Sequence, residues 1–193
     1  MSFIEVFIIF VMAVIILMFI QNHYGEVDYV TSKMDGRKYL VRNLSDAQQA
    51  ADLLADINAD LVKLVRHMSA KYASDKTLKD YVKALSDNYN PNAVSEGSPD
   101  SGYTSMTINK GEKLILCIRH SNKTFVDKNV VMYVAIHELA HIMTFNETGH
   151  TKLFWDNFKI LLNEAIDIGS YNRIDYGSKP ADYCGIKITS SIV

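Results

Sequence analysis

Cysteine is nearly absent: the 193-residue chain has two, Cys117 and Cys184, and neither falls in a C-x-x-C pair. That excludes a disulfide-dense scaffold, a zinc knuckle and a dithiol redox motif, and both residues are expected to be buried as small apolar side chains. Proline is scarce too, at 3 residues beside 9 glycines, while 48% of the chain is hydrophobic, so it is neither disordered nor collagen-like. There is no basic excess, since 20 Lys and Arg face 22 Asp and Glu for a formal charge of −2. A nucleic-acid-binding protein would show a basic stripe, so no nucleic-acid partner is expected. No internal repeat or low-complexity tract occurs. The length suits one domain of ordinary size with a short appendage, and not two enzymatic domains.

Polar side chains are missing altogether from Val6 to Ile20, which reads VFIIFVMAVIILMFI. About 18 helical residues span roughly 27 Å, close to the hydrocarbon thickness of a bilayer. A cleaved signal peptide would carry a basic n-region, yet the first Lys or Arg anywhere is Lys33. The expectation is an uncleaved N-terminal transmembrane anchor over residues 1–22, with residues 3–20 in the lipid bilayer. A juxtamembrane hairpin over 23–44 and the main folded domain over 45–193 would follow. Lys33, Arg37, Lys38 and Arg42 lie beyond the span and nothing basic precedes it. This bias predicts a single-pass protein with its N-terminus outside and its C-terminal domain cytosolic. The sequons at Asn43, Asn122 and Asn146 would then stay bare.

The most breaker-rich stretch, Asn90 to Gly102, separates two halves. Before it, Asp35-Gly36 suggests the turn of a hairpin within Tyr29–Arg42. Ser45 and Gln48 suggest a capping box opening a helix to Tyr72, with Ala50, Leu54, Ile57, Leu61, Leu64 and Met68 on one face. That stripe is expected to face its own domain. A short helix should run from Asp75 to Asn88. After the breakers, strands at Tyr103–Ile108 and Lys113–Arg119 flank Asn109, Lys110 and Gly111. Helices then run from Asp127 to Phe145 and from Thr151 to Ile168, where Gly169 stops the chain. One strand is expected at Gly185–Thr189. The fold class is α+β, mainly helical, with a small antiparallel sheet.

Six histidines are present, and three fall together in His137-Glu138-Leu139-Ala140-His141 and His150. On a helix, positions i and i+4 share a face about 6 Å apart, so both imidazoles reach one metal ion. Glu138 beside them can take a proton from an activated water. The pattern H-E-x-x-H arises by chance in a chain of this composition about 0.7% of the time. The surrounding VVMYVAIHELAHIMTF is otherwise almost wholly apolar, where unpartnered polar groups would be costly. A zinc site needs a third protein ligand and an open position. His150 and Glu164 compete for it, and about 21 Å of continuous helix would separate them. His150 is favoured because apolar Leu153, Phe154 and Trp155 follow it and would pack beneath the site as core. Tyr171, Tyr176 and Tyr183 are candidate oxyanion donors, and the Lys113–Arg119 strand is the candidate edge for laying a peptide. His120 reads as a surface or supporting residue, and His67 has no partner pattern.

HELAH, the later Gly149-His150, Phe154-Trp155, Phe158 and Leu161-Leu162 resemble the WLM and SprT-like metallopeptidases. The segments YVAIHELAHIMT, GHTKLFWDNFKILLNEAIDIG and DYGSKPADYCGIKI are similar to WLM-domain proteins of large eukaryotic DNA viruses. The resemblance covers about Val30 to Ile188. It implies a zincin fold with one zinc ion per chain on His137, His141 and His150, and Glu138 as catalytic acid/base acting on a protein or peptide substrate. A virion or host internal membrane is the implied setting. The His141–His150 interval exceeds that of the crosslink-repair members, and no DNA-binding tract is attached, so DNA repair is not implied. The alternative is a structural membrane or virion protein of the same fold whose metal site is not catalytic.

Overall fold

The computed structural model describes residues 2–24, 26–97 and 104–193. Helix α1 (Phe3–Tyr24) is followed by strands β1 (Val27–Thr31) and β2 (Lys38–Arg42), then helices α2 (Ala47–Tyr72) and α3 (Lys79–Asn88). Strands β3 (Val94–Glu96), β4 (Ser105–Ile108) and β5 (Lys113–Leu116) come next. Helices α4 (Lys128–Met143) and α5 (Lys152–Asp167) precede a terminal hairpin of β6 (Ala181–Tyr183) and β7 (Ile186–Ile188). The class is α+β as expected. The sheet, however, is mixed and five-stranded, in the order β1-β2-β3-β5-β4, and the small antiparallel sheet of the sequence reading is corrected accordingly. The strand that makes it so is β3, which lies inside the breaker-rich segment and pairs parallel with both β2 and β5.

That insertion has a consequence for the site. β5, the expected edge, has neighbours on both sides, and β4 takes the free edge nearest α4. The β1–β2 hairpin, set apart by the sequence as juxtamembrane, belongs to the same sheet through β2. Its connection is longer than a two-residue turn: Ser32 N–H donates to the Arg37 carbonyl, and Gly36 sits at φ +73°.

Helix α2 buries the predicted stripe against its own domain, with Ala50, Leu54, Ile57, Leu61, Leu64 and Met68 all fully covered. The capping box at its start does not form. Gln48 donates instead to the Thr31 carbonyl and to Asp52, tying the helix to the first hairpin. Helix α3 begins later than predicted because the Asp75 carboxylate accepts from the Thr77 and Leu78 N–H groups in a turn before it. Asp127 and Thr151 cap α4 and α5 through their side chains, and Gly169 adopts φ +71° after α5.

Two polar features hold the layers together. Arg119, 1% exposed, donates to Glu96 at 2.8 Å and Asp46 at 2.5 Å and lies over the Phe125 ring. It thereby links the ends of β3 and β5 to the start of α2. Cys117 and Cys184 form a disulfide 67 residues apart in sequence, which corrects their reading as free buried thiols. The bridge fastens the β6–β7 turn to the residue after β5, a proximity that no local pattern announces.

Helix α1 contains an 18-residue apolar span, Phe3–Ile20, of mean hydropathy 3.2, none of it buried against the rest of the chain. It is long and apolar enough to cross a membrane.

Candidate metal centre

Helix α4 places His137 and His141 one turn apart on a single face, with ring centroids 5.0 Å apart. The chain leaves α4 at Thr144, turns at Gly149 (φ +77°) and returns His150 over the same face. Its Nε2 atom lies 3.1 Å from that of His137 and 3.2 Å from that of His141. Ligand atoms of a tetrahedral zinc site with Zn–N near 2.05 Å stand about 3.3 Å apart, so the spacing fits one metal ion. Among the described residues these three donors form one group, within 4.8 Å of one another, which leaves a coordination position open. A divalent metal therefore fits the residues present.

Packing fixes the three rings. Phe154, fully buried, lies beneath all of them, its centroid 4.4 to 4.8 Å from each. The return loop is clamped from two sides. Lys110, from the β4–β5 turn, donates to the Thr144 and Glu147 carbonyls at 3.1 and 2.5 Å. Buried Asn157 donates to the Thr144 hydroxyl at 3.0 Å, and Thr151 donates to the Glu147 carboxylate. These clamps escape sequence reasoning, since no local signal pairs Lys110 or Asn157 with the return loop.

Burial, and then the neighbouring imidazoles, depress the His137 pKa to about 3, while burial, then His150 and the Lys110 ammonium, bring His141 to about 4. Both rings are thus neutral near pH 7, the form that donates a lone pair to a metal. Glu138 is 6% exposed, and burial pushes its carboxyl up to about 7, opposed by the Thr107 backbone N–H. A carboxyl near neutrality can both take and return a proton.

The open side is a cavity of about 690 Å³ between α4, β4 and the terminal hairpin, lined by His137, Glu138, His141, His150 and Thr104–Thr107 among others. The volume lies within the range of small-ligand sites. Because β4 is the free edge and lines this cavity, it replaces Lys113–Arg119 as the strand beside which a peptide would lie.

The remaining candidates separate cleanly. Glu164 is not at the site: it accepts from His67, Lys71 and Tyr72 at 2.5 to 2.8 Å, joining α5 to α2. His67 accordingly has a partner that its sequence context did not reveal. His120 lines a different depression with Asp127 and Asp182. Of the three tyrosines, Tyr183 lines the cavity, fully buried with its hydroxyl 2.5 Å from that of Ser105. The Tyr171 and Tyr176 hydroxyls are buried elsewhere, beside Tyr133. Trp155, expected in the core, is 41% exposed, with its ring 5.4 Å from His150. At the start of α5 the apolar run turns past the site, and Phe154 and Phe158 take the inward positions instead.

Comparison with known proteins adds an independent line. The WLM domain family profile matches residues 33–180. An uncharacterized protein of Acanthamoeba polyphaga mimivirus is 34% identical over 196 residues, covering 100% of this chain and 98% of that protein. An uncharacterized protein of Invertebrate iridescent virus 6 is 34% identical over 113 residues, 56% of this chain and 60% of its own length. Among solved structures, that of Wss1 from Saccharomyces cerevisiae aligns with a TM-score of 0.43 and 19% identity, over 67% of this chain and 88% of that one.

Proposed function

We propose that the chain, which belongs to the WLM-domain family, is a membrane-anchored zinc metallopeptidase. The observation that carries this reading is the convergence of three imidazole nitrogens beside a buried carboxyl, at the floor of a cavity bounded by a free strand edge. Family membership supports it, and the viral relatives support a viral origin. His137, His141 and His150 would hold the zinc ion. A cation there supplies Lewis acidity toward a carbonyl oxygen and toward water.

The chain's own residues supply the rest. A peptide laid along β4 would pair with its backbone in extended form, bringing one carbonyl above the histidines. Glu138 accepts the proton of the attacking water and delivers it to the leaving amine. Thr107 of β4 lines the cavity beside that carboxyl, and its backbone N–H opposes the upward shift. Phe154 and the clamped return loop hold the imidazoles without rearrangement.

The Phe3–Ile20 helix supports anchoring in a bilayer, and the charge bias beyond it supports a cytosolic domain. The Cys117–Cys184 bridge points the other way, since disulfides are rare in a reducing cytosol, so the glycan test decides the topology. In a eukaryotic host, absence of glycans at exposed Asn43, Asn122 and Asn146 is the expected result; a mobility shift on glycosidase treatment would reverse the topology.

The test of function is metal content with hydrolysis of casein by the full chain in detergent. One zinc per chain and cleavage abolished by Glu138→Gln support the peptidase. Zinc bound without cleavage would favour a structural metal site.

A further inference from the structure

A second recess, of about 400 Å³, opens on the other flank of His137. It shares Tyr133, His137, Ile186 and Ile188 with the main cavity, so the two form one cleft passing over the first metal-ligating histidine. Its floor is aromatic: Phe158 is buried and its ring lies 5.2 Å from both His137 and Tyr133. Its lips are Trp155, from the start of α5, and Ile186, from β7, which are 41% and 52% exposed. Single exposed apolar side chains are ordinary on a protein surface. Here two, from elements remote in sequence, meet at one opening with a ring-lined floor and a far wall of Ile188, Ile192 and the hydroxyl residues Thr189–Ser191. Lys187 at the rim is 3.7 Å from Asp182, and both side chains are exposed to solvent.

We infer that this recess is a specificity pocket for a large apolar side chain of the substrate, adjacent to the scissile bond. The inference rests on the peptidase reading and deepens it. Continuity with the metal cleft sets the position of the occupant, and the aromatic floor sets its chemistry, because an apolar side chain leaves water on entering whereas a charged one would lose hydration without a partner. The volume holds a leucine or phenylalanine side chain, and an alanine would leave it unfilled.

Trp155 is the only tryptophan in the chain, so its fluorescence reports occupancy directly. The experiment uses zinc-loaded full-length Glu138→Gln in detergent micelles, titrated with acetyl-Ala-Ala-Xaa-Ala-Ala-amide peptides in which Xaa is Leu, Phe, Ala or Glu. The expected result is a blue shift of the emission with the Leu and Phe peptides and binding about tenfold or more tighter than the Ala peptide. Ile186→Arg should erase that discrimination and give the Glu peptide the advantage, a gain that a misfolded variant cannot produce. An unmoved emission, or a Leu-over-Ala preference unchanged in Ile186→Arg, would overturn the inference. Cleavage of the same peptides by the parent chain separates the two levels. Binding with apolar preference but no cleavage removes the peptidase and leaves the pocket, whereas cleavage with no preference at Xaa removes the pocket and leaves the peptidase.

Discussion

The Nε2 atoms of His150 and His137 lie 3.1 Å apart although thirteen residues and a change of direction separate them. Two imidazole nitrogens brought so close share at most one hydrogen bond, while a shared cation satisfies both lone pairs. Metal occupancy should therefore depend on His150 and be indifferent to Glu164. His150→Ala is expected to lower zinc affinity by about 100-fold or more, beyond what loss of a supporting residue costs. Glu164→Ala should keep one zinc per chain by elemental analysis and lose thermal stability, because it strands Lys71, His67 and Tyr72.

Protonation links stability to pH in the metal-free protein. His137 and His141, held at about 3 and about 4, must charge on unfolding below pH 6.5, so the unfolded chain binds two more protons there. Glu138, raised to about 7, binds one proton in the folded state between pH 4.5 and 7 that the unfolded chain does not. The difference, two minus one, favours the unfolded state as pH falls through 6.5 to 4.5, by about 1.4 kcal/mol per pH unit from these groups. Glu138→Gln removes the opposing term and should double that slope to about 2.7 kcal/mol per unit. Urea titrations of the two metal-free chains across this window give the slopes, and equal slopes would contradict the assignment.

The disulfide closes a loop of 67 residues. On the chain-entropy account it contributes about 4 kcal/mol, and it holds the hairpin that carries Tyr183, Ile186 and Ile188 against the cleft. Reduction, or Cys117→Ser with Cys184→Ser, should lower the unfolding midpoint and raise KM more than it lowers kcat. An unchanged KM would mean that the hairpin stays seated through Tyr183 alone.

Arg119 sits in a covered position with Glu96 fully covered beside it. Arg119→Ala leaves that carboxylate buried without its partner and should cost about 3 to 5 kcal/mol. The paired change Arg119→Met with Glu96→Gln should recover most of the loss in equilibrium unfolding.

How much of this was legible in the sequence depends on whether the signal was local. The α4 histidines, the helix starts near Asp127 and Thr151, the Gly169 stop and the α2 stripe are written in local signals, and they appear where expected. β3 was not, because three residues beside Pro91 carry no periodicity and become a strand only when β2 and β5 offer backbone partners on both sides. That omission moved the free edge from β5 to β4. Long-range partners were likewise silent: Cys117 with Cys184, Arg119 with Glu96, and Lys110 with the Thr144 and Glu147 carbonyls. Trp155 was misplaced because an apolar run at a helix start shows that one face is covered without showing which residue is left at the rim.

The central claim is tested most directly by measuring zinc content and casein hydrolysis together for the full chain and for Glu138→Gln. The account predicts one zinc in both proteins and at least a hundredfold fall in kcat in the variant, in line with loss of a general base. Equal hydrolysis by the two zinc-loaded proteins would contradict it.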